Sequence, residues 1–146
     1  KNHFPENTTY DKPIIALDIF PTIAAAVNAE MPNDRIYDGV NLIPFFTKKD
    51  TAAPHEKLFW RADHIHAIQK DEYKLIYSSR DGWSELYNLS IDPNEKNNLY
   101  LLLPNKVKEL QLDLEQWENT LPKKPLWPRI MDHRFVIDGK TYLFPS

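Results

Sequence analysis

Cysteine is absent, so the chain holds no disulfide framework, no thiolate metal site and no cysteine nucleophile. Secreted proteins can also lack cysteine, and the redox compartment stays open. Glycine is nearly as scarce, with three in 146 residues, and each follows an aspartate: Asp38-Gly39, Asp81-Gly82 and Asp138-Gly139. That dipeptide readily takes the positive backbone angles of tight turns, so each predicts a reversal of the chain. No apolar run approaches the roughly 20 residues that cross a bilayer, so no membrane span is expected. Residues 1–10 have neither the apolar stretch nor the small-residue cleavage pattern of a signal peptide, and nothing in them addresses the chain to a compartment. Neither sign of charge dominates. The net charge is −3, with Lys and Arg scattered among Asp and Glu, which leaves no basic stripe to track a phosphate backbone and no nucleic acid as expected partner. Internal repeats and low-complexity tracts are missing too, which argues against a solenoid.

What is present suits one globular segment: 42% hydrophobic and 27% charged residues, enough to bury a core. A first helix is predicted from Asp18, placed to cap it, to about Asn28, with Ile19, Ile23 and Val27 every four residues and Pro21 in the first turn. A second follows Pro104, where Val107, Leu110, Leu114 and Trp117 keep helical spacing and Lys108, Glu109, Asp113, Glu115 and Glu118 lie elsewhere on the wheel. Between them lie short β-rich runs at 57–61, 64–70, 73–78 and 83–89, the last two joined at Asp81-Gly82. These read as a small antiparallel sheet covered by the second helix. A final hairpin is predicted from 135–137 and 140–144 around Asp138-Gly139. Twelve prolines fall mostly in groups, and Pro122, Pro125 and Pro128 predict an extended tail or linker. Asp92-Pro93 and Glu95, among Asn94, Asn97 and Asn98, read as a capped turn rather than an acid-base pair.

Three stretches, in this order and spacing, resemble the C-terminal part of formylglycine-dependent sulfatases, members of the alkaline-phosphatase superfamily. The first is Leu17-Asp18-Ile19-Phe20-Pro21-Thr22-Ile23 with Asp38-Gly39-Val40-Asn41-Leu42 and Pro44. The second is Pro54-His55-Glu56, Leu58-Phe59-Trp60-Arg61, Ala67-Ile68 and Tyr73-Lys74-Leu75-Ile76. In the turn before Lys74-Leu75, sulfatases often have a basic residue and a glycine; this chain has Gln69, Lys70, Asp71 and Glu72. The third is Glu85-Leu86-Tyr87-Asn88-Leu89, Asp92-Pro93, Glu95 and Asn98-Leu99, then the second helix and Trp127-Pro128. The resemblance implies an α/β enzyme, α+β in this segment: residues 1–53 end the catalytic domain with its last helix and loop, 54–121 form the C-terminal subdomain, and 122–146 are a tail with a possible hairpin.

The resemblance also implies sulfate-ester hydrolysis by a formylglycine made from Cys or Ser in a C/S-x-P-x-R motif, with a calcium-type cation held by Asp and Asn. No serine here is followed by the required Pro and Arg, and no consecutive aspartates begin a metal site. The segment is therefore expected to be inactive, with no catalytic residue, metal ligand or cofactor of its own. Formylglycine and calcium are expected in a missing N-terminal part. The expected partners are that catalytic domain and a sulfated carbohydrate, and the parent is expected to be periplasmic or secreted. Trp60, Arg61, His64 and His66 are the candidate substrate-binding residues: an aromatic face stacks on a sugar while Arg and His donate to sulfate oxygens. His64 and His66, two apart, share a face if both lie in a strand. Against this stands a reading of Trp60 as core and the histidines as solvated strand positions. A zinc site from His64, His66, His55 and Asp63 is the other alternative. For the whole protein, a sister phosphodiesterase or phosphonate hydrolase and a carbohydrate-binding module remain open.

Overall fold

The computed structural model describes residues 6–122 and 131–145, so Pro125 and the Trp127-Pro128 pair lie outside the described residues. The chain divides into two compact units, Lys1–Glu56 and Lys57–Ser146.

The second unit is α+β. Its sheet is an antiparallel meander of β1 (Lys57–Ala62), β2 (Ile65–Lys70), β3 (Tyr73–Ser78) and β4 (Ser84–Asn88), in the order β1-β2-β3-β4. Asp63 and Asp71 supply the positive φ, 51° and 52°, in the two-residue connections after β1 and β2. Aspartate tolerates this left-handed conformation better than most residues, so both turns form without glycine. One face of the sheet is covered by α3 (Pro104–Glu118). Ile68, Leu75 and Leu86 meet Val107, Leu110 and Leu114 there to form the core, with Phe59 and Trp117 stacked at its margin, 5.0 Å between ring centroids. Trp117 is therefore half-buried at the end of the stripe. Around this core Lys57 and Lys70 both reach Asp113, at 2.8 and 3.0 Å, and Lys70 also reaches Glu109 at 2.8 Å.

Side chains alternate along a strand, so Glu85 and Tyr87 lie on the face opposite Leu86. There they meet a hairpin of β5 (Asp132–Ile137) and β6 (Lys140–Pro145). Its two-residue turn, Asp138-Gly139, has φ of 49° and 77°, the pair of positive values that a type I′ turn requires. The strands begin earlier than the sequence predicts, at Asp132 rather than 135. The capped turn after β4 forms as read: the Asp92 carboxylate accepts the N–H groups of Lys96 and Asn97 at 2.9 and 2.8 Å. The Asn98 side chain accepts from Leu86 N and Tyr100 N, which ties this loop to β4.

The first unit holds a 3-10 turn, Ala16–Asp18, then α1 (Ile19–Ala26) and α2 (Ile43–Phe46). The first helix stops two residues short of its predicted end, with Asn28 at φ 55° and Ala29 N donating to Ala24 O at 2.9 Å. Asp18 precedes α1 but makes no side-chain cap to it. Its fully buried carboxylate instead accepts Ile15 N at 2.9 Å, Val40 N at 2.8 Å and the His55 ring at 2.9 Å. Gly39 also differs from the turn expectation. It is not among the positive-φ residues; a Cβ there would lie 2.0 Å from the Leu17 carbonyl oxygen, so close approach of two backbones explains the glycine.

The stripe predicted as the helix's apolar face is open. Pro21 and Ala24 face inward, whereas Leu17, Ile19, Phe20, Ile23 and Val27 are each between 53% and 66% exposed.

Candidate functional site

The β1–β2 hairpin carries all four residues singled out from the sequence, and it does not gather them into one cluster. Arg61 and His66 are register partners, so both side chains lie on the α3 face; Trp60 pairs with Ala67 and lies on the other. Trp60 is 38% exposed and is no core residue. His64 stands in the turn before β2, so the two-residue spacing does not put it on a strand face with His66.

Each histidine is held separately. His64 is buried, with Nδ1 3.2 Å from Asp63 and Nε2 3.0 Å from the Leu143 carbonyl and 3.4 Å from Asp81. The His66 ring stacks on Tyr77 at 4.8 Å, with Nδ1 on Glu118 and Nε2 3.0 Å from the Ser79 hydroxyl. Burial, then the charges of Glu118 and Glu115, push the Tyr77 phenol above its ordinary value. With both rings engaged by different elements, the zinc alternative has no converging nitrogens. Among the described residues no three His, Asp or Glu side chains form a group able to hold a metal. Arg61 differs: it is half-buried and joins no ion pair among the described residues.

A polar group that sequence reading passed over lies on the opposite sheet face. Glu85 is buried and accepts the hydroxyls of Tyr87 and Tyr142, each at 2.9 Å, with Lys140 Nζ at 3.4 Å. Burial first, then the bond to Glu85, pushes the Tyr142 phenol up to about 12, and Tyr87 rises for the same causes. The signal was present as two alternating pairs, Glu85/Tyr87 and Tyr142/Phe144, each on one strand face. Nothing in the sequence brings those pairs together.

No protein-family model matches the chain. Curated relatives do. It is 26% identical over 140 residues to an uncharacterized sulfatase, YdeN, of Escherichia coli, a match covering 70% of this chain and 25% of that protein. Human arylsulfatase D is 35% identical over 82 residues, covering 51% and 14%. The N-acetylgalactosamine-6-O-sulfatase of Bacteroides thetaiotaomicron is 29% identical over 113 residues, covering 68% and 22%. Among solved structures, a protein in complex with its substrate D-glucosamine-2-N,6-O-disulfate is 26% identical, with a TM-score of 0.55 over 70% of this chain and 23% of that one. A phosphonate monoester hydrolase of Agrobacterium radiobacter shares the fold, with a TM-score of 0.53 over 92% of this chain at 19% identity. The chain spans about a quarter or less of the length of these curated relatives. In sequence the chain is similar to a part of several sulfatases, and solved relatives share the fold of that part.

Proposed function

We propose that this chain is the C-terminal part of a sulfatase that hydrolyses sulfate esters of a carbohydrate, and that it packs on the catalytic domain of that enzyme. The observation carrying this reading is the open stripe of α1. Five large apolar side chains stand more than half exposed, Ile19, Phe20 and Ile23 on this short helix and Leu17 and Val27 at its two ends, and burying each further is worth on the order of 1 kcal/mol. A partner surface is the natural cover, and relatives three or more times longer than the matched segment have chain to supply it. In this reading the formylglycine and the calcium ion belong to the part of the enzyme outside these residues, since no C/S-x-P-x-R motif and no acidic metal cluster is found among those described. Bound there, they supply the attacking oxygen and neutralise sulfate charge. This segment's share is binding, and it is inactive alone. Arg61, with no carboxylate partner among the described residues, is the side chain best suited to meet a sulfate or hydroxyl oxygen at the pocket rim. His66 is its register partner on the neighbouring strand, with its ring held by Tyr77, Glu118 and Ser79; His64 serves the hairpin contact to β6, and Trp60 faces elsewhere. An exported location follows from the same family reading.

The shared fold with a phosphonate monoester hydrolase favours one second reading, a sister hydrolase. Assay of the parent enzyme on a sulfated hexosamine, a small aryl sulfate and a phosphonate monoester separates the two. Sulfate release from both sulfates, lost on calcium removal, is expected. The Arg61→Ala variant should raise KM for the sugar by roughly tenfold and leave the aryl sulfate nearly unchanged, the pattern of lost ground-state binding. Turnover of the phosphonate without sulfate release would establish the sister reading, and equal loss on both sulfates would remove Arg61 from the rim.

A further inference from the structure

Ser79, His66 and Glu118 form a hydrogen-bonded row, with Ser79 just past the end of β3 and Glu118 the last residue of α3. His66 Nδ1 meets the Glu118 carboxylate, and Nε2 lies 3.0 Å from Ser79 Oγ. An ionised carboxylate can only accept, so Nδ1 carries a proton, and in the neutral ring that leaves a lone pair on Nε2. That lone pair faces the serine hydroxyl. The ring is kept from turning by Tyr77, on which it stacks nearly flat, with 8° between the planes. Ser79 is exposed, while the His66 and Glu118 side chains are only 11% and 22% exposed, so the hydroxyl is the part of the row open to solvent. Ser79 Oγ has one other acceptor, the His64 carbonyl at 3.2 Å. An imidazole nitrogen is a far stronger base than a carbonyl oxygen, and here it is also the nearer. A hydroxyl held by a base that is itself oriented by a carboxylate is the arrangement of an activated serine nucleophile.

We propose that Ser79 is a nucleophile that takes an acyl group from an activated carboxylic ester, with His66 as its general base and Glu118 as the positioning residue. Oγ attacks the carbonyl carbon and its proton passes to His66 Nε2; the Oγ–C bond forms, the bond from that carbon to the leaving oxygen breaks, and the imidazolium returns the proton to that oxygen. The products are an acyl ester on Ser79 and a free alcohol. Glu118 opposes the positive charge that the ring carries between the two proton transfers. The Arg80 N–H, next after the nucleophile, joins no hydrogen bond among the described residues and is free to donate to the carbonyl oxygen as negative charge gathers there. Sulfate-ester hydrolysis is a separate chemistry that Ser79 does not supply, since Arg80 and Asp81 follow it rather than the Pro-x-Arg of the formylglycine motif.

The test exposes the 146-residue chain to p-nitrophenyl acetate and follows acetylation of each serine by peptide mass mapping. Ser90 is the internal control: it is exposed like Ser79, but its hydroxyl donates to the Asn88 amide oxygen at 2.7 Å instead of to an imidazole. Ser79 should be acetylated roughly a hundredfold faster than Ser90, the lower end of what a positioned base contributes. His66→Gln should bring Ser79 down to the rate of Ser90. Glu118→Gln should slow Ser79 about tenfold or more and move the His66 ring nitrogen NMR signals from the Nδ1–H pattern toward the Nε2–H pattern, a change that a purely structural Glu118 would not produce. If a variant fails to fold, the ratio of the two serines in the natural chain decides by itself. Equal rates at Ser79 and Ser90, an Nε2–H pattern in the natural chain, or undiminished acetylation in a folded His66→Gln variant would each overturn the proposal. None of these outcomes bears on sulfate release by the parent enzyme, so the two readings stand or fall apart.

Discussion

Replacing Asp18 with Ala is expected to cost the first unit about 3–5 kcal/mol, the range for removing one partner of a buried charged cluster. The carboxylate is fully buried and accepts from Ile15 N, Val40 N and His55, so it joins the segment before α1, the loop after Gly39 and the end of the unit. Alanine would strand all of those donors. Burial opposes the charge on Asp18, but the N–H groups of Ile15 and Val40 and the His55 ring outweigh it and hold the carboxyl below its ordinary value. A depressed folded-state value contributes stability that is fully present above the unfolded value, roughly pH 4, and is lost as pH falls through the folded one. Asp18→Asn, with no charge to lose, should therefore narrow its gap to the natural chain in acid. All four tryptophans lie beyond residue 56, so indole fluorescence does not report this unit. The amide signals of Ile15 and Val40 do. Equal denaturation midpoints for both variants and the natural chain would show that the clasp contributes nothing.

Leu114→Ala should cost the second unit about 2–5 kcal/mol, because Leu114 is fully buried where α3 meets Ile68, Leu75 and Leu86 and its loss leaves a cavity. Trp117→Ala should fall at the low end of that range, since the ring is half-buried and stacks on Phe59 at the margin. Glu109→Ala is the control. Glu109 pairs with Lys70 and Lys106, yet its side chain is 41% exposed, and such pairs are worth about 0–1 kcal/mol. Urea unfolding followed by tryptophan fluorescence checks the order. Three equally mild variants would mean that α3 does not use this face.

The second unit was the more legible because its signals are local. Helical spacing from Val107 to Trp117 and the Asp138-Gly139 turn each read correctly within a few residues, since period and turn chemistry act over that distance. The candidate site was less legible. Two-residue spacing implies one face if both residues sit in a strand, and His64 sits in the turn instead. The Glu85 group joins residues 57 apart through contacts that no periodicity records. Asp18 misled in a simpler way. Its position suits a helix cap, but neighbours from Ile15 to His55 offer its carboxylate more donors than the helix end does. In α1 the apolar spacing was real, and it marks a face that this unit leaves open.

Amide hydrogen exchange along 14–27, compared between the isolated chain and the full-length parent enzyme, tests most directly whether this segment is built to be covered by a catalytic domain. The account predicts weak protection or self-association of the isolated chain through α1, and exchange at least about tenfold slower there in the parent. A monomeric isolated chain with the same, uniform protection across 14–46 as the parent would contradict it.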